Sequence, residues 1–173
     1  AYAREIGSKL DHHGVRVEPI AEARPALEVD AFRAAAVDFA KAPFEGRTRL
    51  SVKGAWAKER RPIPAGSLFV PIAQPAARLA MALLEPAAPD SLLAWGFFNA
   101  AFERKEYMEP YVAEEVARRM LEDPAVKAEF LRRLAEDAEF AKDPAARHEF
   151  SYRRHPSWDE RVNLYPVLRV AKL

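Results

Sequence analysis

The chain is predicted to be α+β: a small, mostly antiparallel β unit in the N-terminal half, with a largely helical C-terminal half packed on it. Three observations predict this. Leu50, Val52, Gly54 and Trp56 alternate with Ser51 and Lys53 after Arg49, the period-two pattern of a half-buried strand. From Pro110 onward the apolar spacing becomes three to four, the period of amphipathic helices. The segment Arg161–Val170, with Val162, Leu164, Val167, Leu168 and Val170, then reads as a strand returning to the β unit.

Taken in order, Ala1 to Asp11 places Ile6 and Leu10 on one helical face, and His13-Gly14 stops the helix. Val15 to Glu18 alternates as a short strand. Leu27, Val29 and Ala31 form a second strand whose phase slips at Phe32, as a bulge would make it, before Val37 and Phe39. Pro43-Phe44-Glu45-Gly46 is a turn. Glu59 to Gly66, with Pro62 and Pro64, reads as a loop leading to a covered strand over Ser67–Ile72. A helix is expected from Gln74 with Pro75 in its first turn; Leu79, Met81, Leu83 and Leu84 make it apolar around much of its circumference and so predict burial, and Glu85-Pro86 ends it. In Pro110–Glu122 the residues expected inward are Val112, Val116 and Met120. Asp123-Pro124 is an N-cap followed by proline at the first helical position, and Val126, Phe130, Leu131 and Leu134 are the next buried face. DPAVKAEFLRRL (123–134) returns weakly as DPAARHEFSYRR (143–154), which reads as repeated capping chemistry, since two units are too few for a solenoid. One domain over 1–173 is expected, β-rich over about 15–72, helical over about 74–154, with a return segment at 161–170.

Composition narrows the function classes. Half of the residues are hydrophobic and 31% are charged, a globular profile with both signs interspersed. The net charge is +1, and the locally basic runs, Lys58-Glu59-Arg60-Arg61 and Arg153-Arg154, are short, so no nucleic-acid face is expected. There is no cysteine, which removes disulfides, thiolate catalysis and cysteine zinc ligation. No apolar run reaches membrane-spanning length. The chain opens on AYAREIGSKL without an initiating Met, and we expect the numbering to start inside a longer polypeptide.

Aromatic residues concentrate between Leu83 and Tyr111: Trp95, Phe97, Phe98, Phe102, Tyr107 and Tyr111. Two readings stay open for this stretch, a core joining sheet to helices and a surface that packs on a neighbouring domain or lines a cleft. The residues singled out for the second are Trp95, Phe97, Phe98, Phe102, Glu103, Glu106 and Tyr107. Glu103, Glu106 and Glu109 at spacing three would share a helical face. Paired carboxylates can separate their pKa values for acid–base work, but Arg104 and Lys105 between them favour a solvated face. His12 and His13 are adjacent and point apart, and His148 and His155, seven apart, could align on one long helix, but Pro156 ends helical geometry just beyond. No HxxE or HExxH spacing occurs. Ser67 and Ser91 lack the glycines of a nucleophile elbow. No catalytic or metal-binding residue is assigned.

The segment GSLFVPIAQPAARLAMALLEPAAPDSLLAWGFFNAAFERKEYMEPYVAEEVARRML (66–121) resembles the C-terminal region of large bacterial zinc carboxypeptidases of the carboxypeptidase A-like family. HPSWDERVNLYPVLRV (155–170) and PFEGRTRLSVKGAWAKERRPIPAG (43–66) are similar to the same proteins; the most specific parts are PDSLLAWGFF, ERKEYMEPYV and RRHPSWDER. The resemblance implies a C-terminal accessory domain, itself without cofactor, whose partner is an upstream catalytic domain of the same polypeptide. There an HxxE pair and a later His would hold zinc, a separate Glu would act as base, and the peptide substrate would bind. None of those motifs lies in this chain. The resemblance also implies export to the periplasm or beyond. Two rival readings are an independent peptide- or glycan-binding module and a self-contained hydrolase built on Glu103, Glu106 or His155.

Overall fold

The computed structural model describes residues 2–103 and 108–173, with Pro110 described by its backbone alone. The chain is α+β, with antiparallel sheets lying mostly in the N-terminal half and helices mostly in the C-terminal half. It divides into two compact units: Ala1–Glu103 together with Arg161–Leu173, and Arg104–Glu160.

The first unit is built on a three-stranded antiparallel sheet. Its central strand β2 (Arg24–Phe39) pairs with β3 (Leu50–Ile63) on one side and β5 (Leu164–Arg169) on the other. The expected returning strand is thus present. The hairpin between β2 and β3 turns at Phe44–Arg47, where Glu45 (φ 48°) and Gly46 (φ 74°) both take left-handed backbone, the requirement of a tight hairpin turn whose twist matches the strands. A second, two-stranded sheet joins β1 (Glu18–Pro19) to β4 (Leu68–Phe69).

The sheet is packed on both faces. Phe32 and Ala34 of β2, Leu50, Val52 and Trp56 of β3, and Tyr165 and Val167 of β5 face the larger core. There they meet Ile6 and Leu10 of helix α1 (Ala3–His12), Ala80 of helix α2 (Ala77–Leu84), and the segment from Leu92 to Phe102. Val29, Ala31, Ile63 and Leu164 form a smaller core on the opposite face. The expected slip of phase at Phe32 is therefore a change of covered face, since Ala31 and Phe32 are both buried on opposite sides. An irregularity does lie at Phe32, where the register against β5 shifts between Ala31 and Arg33. A second shift, against β3 between Ala34 and Ala36, turns Val37 and Phe39 to the side of Phe32 and Ala34.

Several expected elements are corrected. The strand over Val15–Glu18 shrinks to Glu18–Pro19, and Val15 is a core residue instead. The expected loop Glu59–Gly66 is largely strand, because β3 runs to Ile63. Pro62 is accommodated because β3 is an edge strand and pairing shifts register between Arg24 and Leu27 opposite it. Of Ser67–Ile72 only Leu68 and Phe69 pair, and Ile72 is exposed. The helix expected from Gln74 starts at Ala77. The Gln74 amide is engaged elsewhere, donating to the carbonyls of Arg16 (3.1 Å) and Pro71 (2.6 Å) and accepting from Arg16 N (2.7 Å). Leu79 and Met81 are exposed, because only the stripe Ala76, Ala80, Leu83 and Leu84 reaches the core.

The second unit is helical: α3 (Pro110–Met120), α4 (Pro124–Glu136), α5 (Ala138–Lys142) and α6 (Pro144–Tyr152). Asp123, Asp137 and Asp143 each cap a helix, accepting from Ala125 N (2.8 Å), Phe140 N (3.0 Å) and Ala145 N (2.8 Å) respectively. Proline follows two of these caps at the first helical position, where no amide hydrogen is needed. The expected inward residues Val112 and Leu131 are exposed instead. Ala113 is the buried residue among the described side chains of α3, and Phe130, not Leu131, points inward on α4. The centre of the unit is three phenylalanines in mutual contact: Phe130–Phe140 at 5.6 Å, Phe130–Phe150 at 5.3 Å and Phe140–Phe150 at 5.8 Å between ring centroids. Each follows a glutamate, at 129–130, 139–140 and 149–150. The weak repeat thus supplies core rings as well as caps.

Candidate functional site

The aromatic stretch folds as a series of consecutive turns rather than a helix. Ser91, fully buried, accepts from Ala94 N at 3.1 Å. Trp95 N then donates to Ser91 O, Gly96 N to Leu93 O, and Phe97 N to Leu92 O. A short 3-10 turn, Asn99–Ala101, follows. The run is sewn to the β2–β3 hairpin: Leu50 N donates to Ala94 O (3.2 Å), and the Asn99 side-chain amide donates to Thr48 O (2.8 Å). Gly96 sits at the closest approach. Its φ is +77°, and a β-carbon there would lie 2.3 Å from Thr48 O, so no other residue fits without displacement.

This path sorts the aromatics. Leu92, Leu93, Phe98 and Phe102 are buried in the larger core. Phe98 stacks edge-on against Tyr165 at 5.1 Å and lies 5.2 Å from the Tyr2 ring. Tyr165 is fully buried and donates its hydroxyl to Leu84 O at 2.9 Å; burial first, and the Glu85 carboxylate second, push its pKa far up. Trp95 and Phe97, on either side of Gly96, are half-buried. Their exposed faces carry cations. The Arg49 guanidinium lies 4.9 Å over the Trp95 ring, Arg47 lies 3.5 Å over Phe97, and the Lys9 ammonium lies 5.5 Å from Phe97. Phe44, at the hairpin turn and 53% exposed, tilts against Trp95 at 6.0 Å. Arg47 also pairs with Glu5 at 2.9 Å.

The carboxylates do not line one helix. Glu103 is an exposed residue in a bend after the 3-10 turn, and Glu109 is the extended residue preceding α3. Glu103 adds to burial in raising the Tyr2 pKa. Glu106 and Tyr107 lie outside the described residues. His12 donates its Nδ1 hydrogen to Ser8 O within α1, His148 is exposed on α6, and Nδ1 of His155 accepts from Ser157 N in the turn that follows. Glu103 and His155 belong to different units. Among the described residues, no three His, Cys, Asp or Glu side chains are placed to share a metal ion. No described helix is long and apolar enough to cross a membrane. An open groove of about 340 Å³ runs beside the two-stranded sheet, lined by Glu18, Pro19, Ile20, Glu22, Arg24 and Phe69 among others, and includes none of the aromatic-stretch residues.

Sequence reasoning found the aromatic rings but missed Lys9, Phe44, Arg47 and Arg49. The available signal was Phe44-x-x-Arg47-x-Arg49: a turn followed by two basic residues on the same side of a strand entrance. No family model matches the chain, and no curated protein or solved structure matches it significantly.

Proposed function

We propose that this chain is a non-catalytic C-terminal accessory domain of a zinc metallocarboxypeptidase. In this reading, removal of C-terminal amino acids, and the zinc that serves it, belong to a catalytic domain upstream in the same polypeptide, and this domain braces that partner or shapes its substrate cleft. The reading draws on the resemblance carried by residues 66–121 and 155–170. One structural observation supports it: PDSLLAWGFF, one of the segments most specific to the resemblance, is pinned as consecutive turns that hold Leu92, Leu93 and Phe98 inside while leaving Trp95 and Phe97 half-buried. Aromatic rings held rigidly at a surface are the residues from which protein contacts draw most of their energy.

The test begins with the chain purified without chelator. A zinc-to-protein ratio near zero and no hydrolysis of blocked dipeptides are expected; a ratio near one with turnover would overturn the reading. In the longer polypeptide, Trp95→Ala with Phe97→Ala should lower thermal stability or change substrate preference. If neither moves, the bracing role is wrong.

A further inference from the structure

Arg49 and Lys9 combine a place over an aromatic ring with the lack of a carboxylate partner among the described residues, whereas Arg47 and Arg169, also set over rings, are paired. Arg47 pairs with Glu5, Lys58 with Glu28, and Arg169 with Glu85. Arg49 and Lys9 pair with no carboxylate among the described residues, and each is exposed and set over an aromatic ring. The Arg49 guanidinium, 4.9 Å over the Trp95 indole, has no carboxylate among the described residues on its N–H donors, and its planar fork matches the geometry of one. Beside them Phe44 offers an exposed ring. Glu5 is engaged by Arg47, and Glu45 sits in the hairpin turn. The surface therefore presents two unneutralised donors and an apolar ring on a rigid base.

From this complementarity we propose that the face formed by Lys9, Phe44, Arg47, Arg49, Trp95 and Phe97 docks an acidic protein segment. Its carboxylates meet Arg49 and Lys9, and an apolar side chain lies against Phe44. The chain's net charge of +1 and its short basic runs do not make the extended positive surface that a nucleic-acid backbone needs. The proposal deepens the accessory-domain reading, resting on it only for where the segment comes from.

The experiment is titration of the full chain with a blocked Glu-Glu-Phe-Glu-Glu peptide, followed by calorimetry and by the indole N–H resonance of Trp95. A Lys-Lys-Phe-Lys-Lys peptide and a single-stranded oligodeoxynucleotide serve as comparisons. The acidic peptide should shift the Trp95 resonance and bind more weakly as salt is raised. Arg49→Gln combined with Lys9→Gln should weaken binding at least about tenfold, equivalent to about 1.4 kcal/mol. Arg49→Lys, which keeps the charge and loses the fork, should fall between. Both side chains are exposed, so melting temperatures should be unchanged; should the double variant unfold, Arg49→Lys alone decides. No shift, undiminished binding by the variants, or tighter binding of the oligonucleotide would each overturn the proposal. A failure here would leave the zinc and turnover result of the accessory-domain test untouched, and a positive turnover result would leave this binding untouched.

Discussion

The two compact units make their cores in opposite ways. The helical unit, Arg104–Glu160, takes its central rings from Phe130, Phe140 and Phe150, each delivered by a short helix with an Asp cap. The sheet unit brings together residues far apart in the chain: Leu10 from α1, Phe32 from β2, Leu50 from β3, Phe98 from the turn run and Tyr165 from the last strand. The sheet unit uses long-range pairing, and the segment spliced into it carries the half-buried rings of Trp95 and Phe97. Chemistry at a surface here depends on a backbone that tertiary packing holds in place.

The strongest way to break this comparison is to remove one central ring from each unit. Phe140→Ala and Phe98→Ala each delete a ring almost wholly buried, and each should cost about 3–5 kcal/mol. Amide exchange should report the first most strongly in α4 to α6 and the second in β2, β5 and the turn run. Equal loss of protection everywhere for both variants would show that the distinction between the units has no energetic meaning. A subtler perturbation is Gly96→Ala. Its β-carbon would meet Thr48 O, and alanine is strained at φ +77°. A loss of about 1–3 kcal/mol in chemical denaturation is expected, with the Trp95 indole resonance displaced. An unchanged resonance would mean that the turn run is less rigid than its hydrogen bonds imply.

Much of this fold was legible. The alternation at Leu50, Val52 and Trp56 gave β3, and the Asp-Pro pairs gave two helix starts, because in both cases local chemistry and final environment agree. Pro25 hid the start of β2, and the change of covered face at Ala31 and Phe32 gave the strand its slip of phase, since a pattern of burial assumes one buried face. Apolar residues alone overstated burial at Leu79, Met81, Val112 and Leu131: a helix packed on one side buries one stripe, and which stripe depends on where the helix starts. Of the candidate site, the rings were visible and the cations were not. Arg47, Arg49 and Lys9 reach Trp95 and Phe97 through the hairpin and α1, and the spacing Phe44-x-x-Arg47-x-Arg49 marks a basic strand entrance without showing which rings it meets.

Caps give a finer version of the contrast. Asp123→Ala and Asp143→Ala each remove an acceptor for the first turn of a helix and should cost about 1 kcal/mol. Asp143 precedes α6, which carries buried Phe150 and Tyr152, whereas α4 buries no residue fully. The loss at Asp143 should therefore be the larger in thermal melts followed by circular dichroism. A larger loss at Asp123 would mean that α4 anchors the phenylalanine cluster.

The smallest effect is electrostatic, and acid reveals it. Arg33 donates to both oxygens of Glu59, at 2.7 and 3.1 Å, tying β2 to β3. The Arg33 hydrogen bond, ahead of its charge and that of Arg61, holds the Glu59 carboxyl below its ordinary value of 4.5. A carboxylate whose folded pKa is depressed binds fewer protons in the folded than in the unfolded state. Its contribution is thus fully present above the unfolded value, and it disappears as pH falls through the folded one. In the helical unit Asp137 behaves likewise: its bond from Phe140 N, then that from Arg133, lower its pKa. Glu59→Gln should therefore flatten the decline of sheet stability below the ordinary glutamate range and leave the helical unit's acid response in place. Asp137→Asn should do the reverse. Stability measured by amide exchange between neutral pH and the acid range separates the two, and a steeper acid decline in the sheet unit of Glu59→Gln would contradict the assignment of that pair.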